Sequence, residues 1–197
     1  IDPNQIEKAI TKKTKVIMPV HLTGRMSKMT EIENIAKKYK LKIIEDAAQA
    51  VSAKIDGRVA GSIGDIGCFS AHPLKNLNAI GDSGYLTTNN KNIYSMVKKL
   101  SNHGIENRNI VKKFGYVSRM DNLQAAILNY RLKNLSKVIT RRRSNAKVYF
   151  KNLNQNYIFI PPENNNEFNT YHTFVIQVEK DREKLIKYLD RNKIGSS

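Results

Sequence analysis

An alternation of extended and helical apolar patterns constrains this chain more than any other feature of its sequence. A short apolar run at 16–20 predicts a buried strand, and 27–40 has the apolar spacing of an amphipathic helix. Residues 41–44 predict a second strand, which ends in Glu45-Asp46. A strand, a helix and a strand with short connections form a βαβ unit, which implies parallel pairing and a right-handed crossover. The sequence therefore predicts an α/β fold with a mostly parallel sheet.

The same alternation continues to the end of the chain. Glycines punctuate 57–67 and predict turns there, and the pattern changes after Pro161-Pro162. Helix 120–153 is expected to break near Ser136, so we place a domain boundary between 135 and 136 and a smaller α+β piece at 136–197. The other predicted elements are strands ending near 70 and at 84–88 and 171–178, and helices at 3–12, 90–101 and 181–192.

Composition argues against several classes of protein. The 197 residues carry 34 Lys and Arg against 17 Asp and Glu, a net charge of +17. Such a balance suits nucleic acid, acidic lipid or a phosphorylated substrate, but the basic residues are scattered, which favours a compositional bias instead. Cys68 is the only cysteine, so neither a disulfide framework nor a CxxC zinc site is possible. No apolar run has the length of a membrane helix, and we expect a cytoplasmic protein without metal, membrane or nucleic-acid partners.

Four polar residues lie at or just beyond the predicted ends of strands. Asp46 ends one strand, and Gln49 follows it by three residues. Ser70 ends another strand, and Lys75 lies in the loop after it. Ligands of α/β sheets bind outside the carboxyl ends of the strands. Each residue alone also has a plain explanation, such as a strand-end acid or a solvated lysine, so it is their combination that indicates a site.

Ordered motifs around these residues connect the chain to a known family. They resemble the DegT/DnrJ-type nucleotide-sugar aminotransferases, which are pyridoxal 5'-phosphate enzymes of the aspartate-aminotransferase fold type I. The resemblance spans nearly the whole chain and implies a three-layer α/β sandwich. Residues 1–135 would be part of the cofactor-binding large domain, and 136–197 a linking helix with part of the small domain. The motifs are Glu45-Asp46-Ala47-Ala48-Gln49, Gly64-Asp65-Ile66-Gly67-Cys68-Phe69-Ser70, His72-Pro73-Leu74-Lys75-Asn76-Leu77 and Gly81-Asp82-Ser83-Gly84.

The resemblance also implies a role for each of the four residues. Lys75 would bond the cofactor aldehyde as a Schiff base and later move a proton between the substrate and the cofactor. Asp46 would pair with the ring nitrogen and keep it protonated, since a nearby carboxylate favours the charged form. Gln49 would lie against the ring or its 3-hydroxyl, and Ser70 would donate its hydroxyl to the phosphate.

The remaining candidates have weaker support in the sequence. Arg119 and His72 are candidates for contact with substrate or with a partner subunit, although an interface salt bridge explains Arg119 equally well and His72 is given no definite role. His21, His103 and His172 are far apart without metal-ligand spacing, so they are interpreted as packing histidines.

The implied activity is transfer of an amino group, from glutamate, to a keto group of a nucleotide-linked deoxysugar for surface polysaccharide or a related glycan. A homodimer is implied as well, because in many family members an asparagine reaches the partner's cofactor phosphate. That position is Val117 here, and the chain is expected to be a fragment lacking both ends of the family's sequence. The alternatives are an incomplete or non-catalytic homologue, a basic nucleic-acid binder, and a pyridoxal-dependent sugar dehydratase, against which Lys75 argues because those relatives carry histidine there.

Overall fold

The computed structural model describes residues 1–108 and 110–196, in which helices and short strands alternate. The α-helices are α1 Pro3–Ala9, α2 Met29–Tyr39, α3 Lys91–Leu100, α4 Asn122–Leu132, α5 Leu135–Asn152 and α6 Arg182–Arg191. The strands are β1 Val16–Ile17, β2 Lys42–Asp46, β3 Lys54–Ile55, β4 Arg58–Val59, β5 Ile66–Ser70, β6 Gly84–Thr87, β7 Ile105–Asn107, β8 Ile110–Val111 and β9 Glu167–Phe168. None of the described helices is long and apolar enough to cross a membrane.

The main sheet has the strand order β1-β2-β5-β6. Strands β1, β2 and β5 run parallel, with Val16 opposite Lys42 and Ile44 opposite Ile66, while β6 is antiparallel to β5. Helix α2 connects β1 to β2, as a βαβ unit requires. The predicted α/β fold with a mostly parallel sheet is therefore confirmed.

Two apolar clusters hold this sheet to its helices. In the first, Met29 and Ile32 of α2 are fully buried and belong to the same cluster as Ile17 and Ile43 of the strands. Burial of each such side chain contributes about 1.5–3 kcal/mol. The second cluster joins α4 and α5 to the loop after β5, and its buried members are Ala71, Leu77, Ala79, Leu128, Leu135 and Ile139. The loop that carries Lys75 is thus held by the second apolar cluster, to which its residues Leu77 and Ala79 belong.

The predicted strand at 171–178 is wrong. Among the described residues this segment forms one bridge, between Phe159 and Gln177, and the strand in this region is β9, which pairs with β3. Tyr171 has a φ of 45°, which interrupts an extended conformation. The Thr170 amide donates to the carbonyl of Gly24 (2.9 Å), so the backbone here is bonded to a turn instead of a strand.

Other predicted boundaries need smaller corrections. The helix expected at 3–12 ends at Ala9, and the long helix at 120–153 is interrupted at 133–134, close to the predicted break. The expected start of α3 is confirmed, since the Asn90 side chain accepts hydrogen bonds from two amides of the first turn.

Candidate cofactor site

Asp46 and Gln49 lie at the carboxyl end of β2. Asp46 is the last residue of the strand, and its Oδ1 accepts a hydrogen bond from the Ala48 amide (3.1 Å). Gln49 Oε1 accepts one from the amide of Thr23 (2.7 Å), a residue held at a φ of 63°. Among the described residues, Asp46 Oδ2 and Gln49 Nε2 have no hydrogen-bond partner, so both remain available to a ligand.

Ser70 ends the neighbouring parallel strand, β5. Asp46 is paired in register with Cys68, two residues before Ser70, so both chains leave the sheet at the same end. The half-buried Ser70 Oγ accepts a hydrogen bond from the His72 amide (3.3 Å). A hydroxyl that accepts in this way keeps its own hydrogen for a further acceptor.

Lys75 lies in the loop between β5 and β6, and α4 holds that loop from one side. Arg131 Nη1 donates to the carbonyl of Asn78 (2.8 Å), its side-chain oxygen (2.7 Å) and the carbonyl of Ala79 (3.1 Å). Gln124 Oε1 accepts from the amide of Ile80 (3.0 Å). Lys75 itself is half-buried, and its amine makes no hydrogen bond or ion pair with any described residue.

Among the described residues, the side chains of His72 and Arg119 make no hydrogen bond or ion pair with Lys75, although the Lys75 amide donates to the carbonyl of His72 (2.9 Å). His72 Nδ1 accepts from the Leu74 amide (3.2 Å), and its Nε2 is 3.8 Å from the carboxylate of Asp82, a side chain that is 95% exposed. Arg119 is exposed and, within the described part of the chain, makes no ion pair. Val117 is also exposed and bridges Asn102. Substrate or partner contacts by Arg119 and His72 therefore stay predictions.

A fully buried hydrogen bond lies next to Asp46, because it involves the preceding residue of β2, Glu45. Glu45 Oε2 is 2.9 Å from His21 Nε2, and both side chains have no exposed surface. Because the Ser27 amide donates to His21 Nδ1 (3.2 Å), the ring proton is assigned to Nε2, which donates to Glu45. His21 is therefore a packing histidine, as expected.

Glu45 also holds the glycine-rich turn before β5. Its carboxylate accepts amide hydrogen bonds from Gly61 (2.8 Å), Ile63 (2.7 Å) and Gly64 (2.6 Å). Burial raises the pKa of Glu45, but the hydrogen bonds from His21 and these three amides lower it by more, so its pKa lies below the ordinary value. Glu45 is thus ionised and serves the structure, while the adjacent Asp46 is free for a ligand.

His172 is the residue near the site that the sequence did not indicate. Its Nδ1 is buried and has no hydrogen-bond partner in the part of the chain that the structure describes, so the interpretation as a satisfied packing histidine does not hold for this atom. Burial lowers the pKa of His172, and the positive charges of Lys75 and Arg142 lower it further. His172 and Lys75 are far apart in sequence, and the hydrogen bond from Asn76 Nδ2 to the carbonyl of Thr170 (3.2 Å) joins the two segments that carry them.

The groups at this end of the sheet fit pyridoxal phosphate. An aldehyde requires an amine without a competing partner, and Lys75 offers one. The ring nitrogen requires a carboxylate, and a phosphate and a ring hydroxyl require donors. Asp46 Oδ2, the Ser70 hydroxyl and Gln49 Nε2 have this chemistry. In 1–108 and 110–196, no three His, Cys, Asp or Glu side chains are grouped so that they could hold a metal ion.

The fold and these polar groups define an α/β protein that binds a ligand outside the carboxyl ends of parallel strands. Its sequence narrows the class further, because the family model described as DegT/DnrJ/EryC1/StrS aminotransferase family matches residues 1–197. The chain belongs to this family, and the family expected from the motifs is confirmed.

Individual relatives agree with this assignment. The dTDP-3-amino-3,6-dideoxy-alpha-D-galactopyranose transaminase of Aneurinibacillus thermoaerophilus is 42% identical over 196 residues, which cover 98% of this chain and 53% of that protein. The 3-oxo-glucose-6-phosphate:glutamate aminotransferase of Bacillus subtilis strain 168 is 39% identical over 201 residues, covering 98% and 44%. The crystal structure of NtdA from Bacillus subtilis with bound cofactor PMP has a TM-score of 0.87 and 38% identity, covering 98% and 45%.

Two conclusions follow from these similarities. The α/β fold and the pyridoxal-type cofactor expected from the resemblance are confirmed at the level of the family. The chain spans about half the length of the curated relatives it matches.

Proposed function

We propose that the intact protein is a pyridoxal-phosphate-dependent aminotransferase, which moves an amino group from glutamate to a keto group of a nucleotide-linked deoxysugar. The observation that carries this proposal is the amine of the half-buried residue Lys75, which has no hydrogen-bond partner among the described residues and belongs to the loop that follows Ser70. The strand beside β5 ends in Asp46. An amine, a carboxylate and a hydroxyl grouped in this way match the reactive aldehyde, the ring nitrogen and the phosphate of one cofactor.

Each of the four residues has a task in this proposal. The bound cofactor supplies an electron sink, which withdraws electrons from the substrate carbon that loses its proton. Asp46 keeps the proton on the ring nitrogen, because its negative charge favours the protonated form. The Lys75 amine would take the proton from the substrate carbon, hold it on its nitrogen and deliver it to the bound cofactor. Ser70 and Gln49 orient the phosphate and the ring.

The choice of substrates is supported by charge and by the relatives. One relative is named for a dTDP-linked amino sugar, and another for a keto-sugar phosphate with glutamate. Both sugars carry phosphate, and a net charge of +17 would raise the local concentration of such anions. We favour the nucleotide-linked ketone over the simple sugar phosphate because the 42% relative acts on that class.

The first prediction tests the two half-reactions in the full-length protein. L-glutamate should convert the visible-absorbing cofactor to its amine form, since Lys75 is released when the amino group arrives. A nucleotide-linked keto-deoxysugar should then restore the visible band and appear in mass spectra as the amino sugar. A keto-sugar phosphate that lacks the nucleotide, tested in the same way, is the matched control. A spectrum that responds to no amino donor would contradict the proposal.

A homodimer is part of the proposed function, and an exposed apolar surface supports it. Phe114 is fully exposed, and Tyr116 and Val117 beside it are about as exposed as Leu123 and Tyr130 of α4. Leu123 and Tyr130 are seven residues apart and so share one helix face. Exposed apolar side chains of this size become buried when an interaction site is occupied, and a second copy of the chain is the partner that the family resemblance implies.

The second prediction is that Phe114→Asp weakens the dimer of the full-length protein. A buried aromatic anchor contributes about 2 kcal/mol or more to an interface, so the dissociation constant should rise about 30-fold or more. Sedimentation equilibrium measures this directly. Tyr94→Asp on α3, another exposed aromatic, is the control and should leave the dimer intact. Equal dissociation constants for the wild type and Phe114→Asp would exclude this surface from the interface.

The division into 1–135 and 136–197 stays a prediction, supported by the helix break at 133–134 between α4 and α5. A cytoplasmic location and a role in polysaccharide synthesis likewise stay predictions. Both suit an enzyme that acts on activated sugars.

A further inference from the structure

The loop between β5 and β6 is closed around Lys75 by the side chain of Asn78. Asn78 Nδ2 donates to the carbonyl of Pro73 (2.6 Å), so a single carboxamide joins the chain before Lys75 to the chain after it. Inside this span, the Lys75 amide donates to the carbonyl of His72 (2.9 Å). Lys75 therefore leaves the backbone from a turn that is hydrogen-bonded on both sides of it.

Arg131 of α4 fixes the orientation of the Asn78 carboxamide. Its Nη1 donates to the Asn78 side-chain oxygen (2.7 Å) and also to the carbonyls of Asn78 (2.8 Å) and Ala79 (3.1 Å). Because Asn78 Oδ1 accepts from Arg131, Nδ2 is the end that faces Pro73, and the amide cannot reverse without losing both hydrogen bonds. The side chains of Asn78 and Arg131, with the hydrogen bonds that they make to this loop, are called the loop clamp below.

Helix α4 provides a fixed base for the loop clamp. Leu128 of α4 is buried in the second apolar cluster together with Leu77 and Ala79 of the loop. Leu128 and Arg131 are three residues apart and so lie on the same face of the helix. Side chains on a packed helix are held more precisely than side chains on a loop. The clamp therefore ties the backbone on either side of Lys75 to a rigid element.

The Lys75 side chain itself takes no part in these contacts. Its amine makes no hydrogen bond or ion pair with the described residues, so the position of the backbone decides which points the amine can reach. Lysine has a long, flexible stem, and a misplacement of about 1 Å can lower the rate of a reaction about 100-fold. A loop that moved would carry the amine away from a bound aldehyde without changing the amine.

We propose that Asn78 and Arg131 are positioning residues for Lys75, which hold its loop so that the amine meets the cofactor aldehyde. The inference rests on the proposed function of Lys75. In the step concerned, the Lys75 nitrogen bonds the aldehyde carbon, and the aldehyde oxygen leaves as water. Neither Asn78 nor Arg131 touches the cofactor or transfers a proton, so their contribution is confined to the place from which the amine reacts.

The third prediction compares two forms of the cofactor in the full-length protein. Pyridoxal phosphate can bond to Lys75, whereas pyridoxamine phosphate has an amine in place of the aldehyde and cannot. Arg131→Met should raise the dissociation constant of pyridoxal phosphate about 10-fold or more, because hydrogen bonds from a charged donor are lost. The dissociation constant of pyridoxamine phosphate should stay nearly unchanged. Calorimetric titration measures both constants, and equal shifts for the two forms, or no shift in either, would overturn the proposal.

Three further variants separate positioning from a general loss of stability. Asn78→Ala removes the bridge to Pro73 and should reproduce the effect of Arg131→Met. Arg131→Lys should restore part of the affinity for pyridoxal phosphate, since an ammonium group carries three donors on one nitrogen. Arg141→Met, at an exposed arginine of α5 without a hydrogen bond to any described residue, is the matched control and should behave as the wild type. Wild-type affinity for pyridoxal phosphate in Asn78→Ala would contradict the role of the bridge.

Hydrogen exchange of the cofactor-free, full-length protein gives a readout that does not depend on the proposed function. The Lys75 amide, which donates to the carbonyl of His72, should exchange about 10-fold faster or more in Arg131→Met, because the loop opens more often. Unchanged exchange would show that the clamp does not hold the loop. A wild-type protein without any visible band would refute the cofactor role of Lys75, while the exchange still tests the clamp. Should Arg131→Met not fold, Asn78→Ala decides in both assays.

Discussion

Replacing Lys75 by alanine is expected to abolish the visible absorbance of the cofactor-loaded protein. In the proposed function, this absorbance comes from the covalent bond between the lysine nitrogen and the cofactor aldehyde, which alanine cannot form. Transaminase turnover should fall by about 100- to 10,000-fold or more, because the group proposed to transfer the proton is lost at the same time. Absorbance spectra and steady-state rates of the full-length protein measure the two effects.

Two features of the structure make Lys75→Ala a clean experiment. The Lys75 amine has no hydrogen bond or ion pair with the described residues, and its loop is held instead by Arg131, Gln124 and Asn76. The melting temperature should therefore stay close to that of the wild type, so that a lost band reports chemistry and not unfolding. Lys91→Ala, an exposed lysine of α3, is the matched control and should keep the full spectrum. A visible band that survives Lys75→Ala would show that another lysine bonds the cofactor.

The largest effect on stability is expected from Glu45→Gln. The substitution removes a buried charge that accepts hydrogen bonds from His21 and from the amides of Gly61, Ile63 and Gly64. A glutamine offers one oxygen and an NH2 group, so at least one buried donor would face another donor. Breaking a buried network from one side reduces the free energy of unfolding by about 3–5 kcal/mol. Urea denaturation of the full-length protein measures this loss.

The same network predicts how stability depends on pH. Because the pKa of Glu45 is lowered in the folded protein, the unfolded chain takes up the proton more readily as the pH falls. The contribution of Glu45 is therefore fully present above the ordinary glutamate pKa and is lost as the pH falls through the folded value. Between neutral and acidic pH, stability should decrease less steeply in Glu45→Gln than in the wild type.

A surface glutamate provides the control for both measurements. Glu106 pairs with Lys99 and Lys112, but all three side chains are exposed. Surface ion pairs contribute little, so Glu106→Gln should leave the urea midpoint almost unchanged. A Glu45→Gln protein as stable as Glu106→Gln would mean that the turn at 61–64 does not depend on this carboxylate.

Local patterns were sufficient for most of the helices and for the type of sheet. The spacing of Met29, Ile32 and Ala36 predicts α2, and Asn90 marks the start of α3, because both signals act within one or two turns of the chain. The prediction of a strand at 171–178 was wrong because the pattern in the sequence reports only local preferences. The apolar residues of this segment suit a strand, but the amide of Thr173 donates to the carbonyl of Thr23, a residue distant in sequence.

The sequence by itself determined the family, the mostly parallel α/β sheet and the candidates Lys75, Asp46, Gln49 and Ser70, since these depend on short motifs and on the ends of strands. Only the tertiary structure decided which of two adjacent carboxylates is free. Glu45 is buried against His21 and three amides, whereas one oxygen of Asp46 has no partner among the described residues. Only the fold bonded the Lys75 loop to the distant segment 169–173, through Asn76 and the carbonyl of Thr170, because contacts between distant segments leave no periodic pattern in either one.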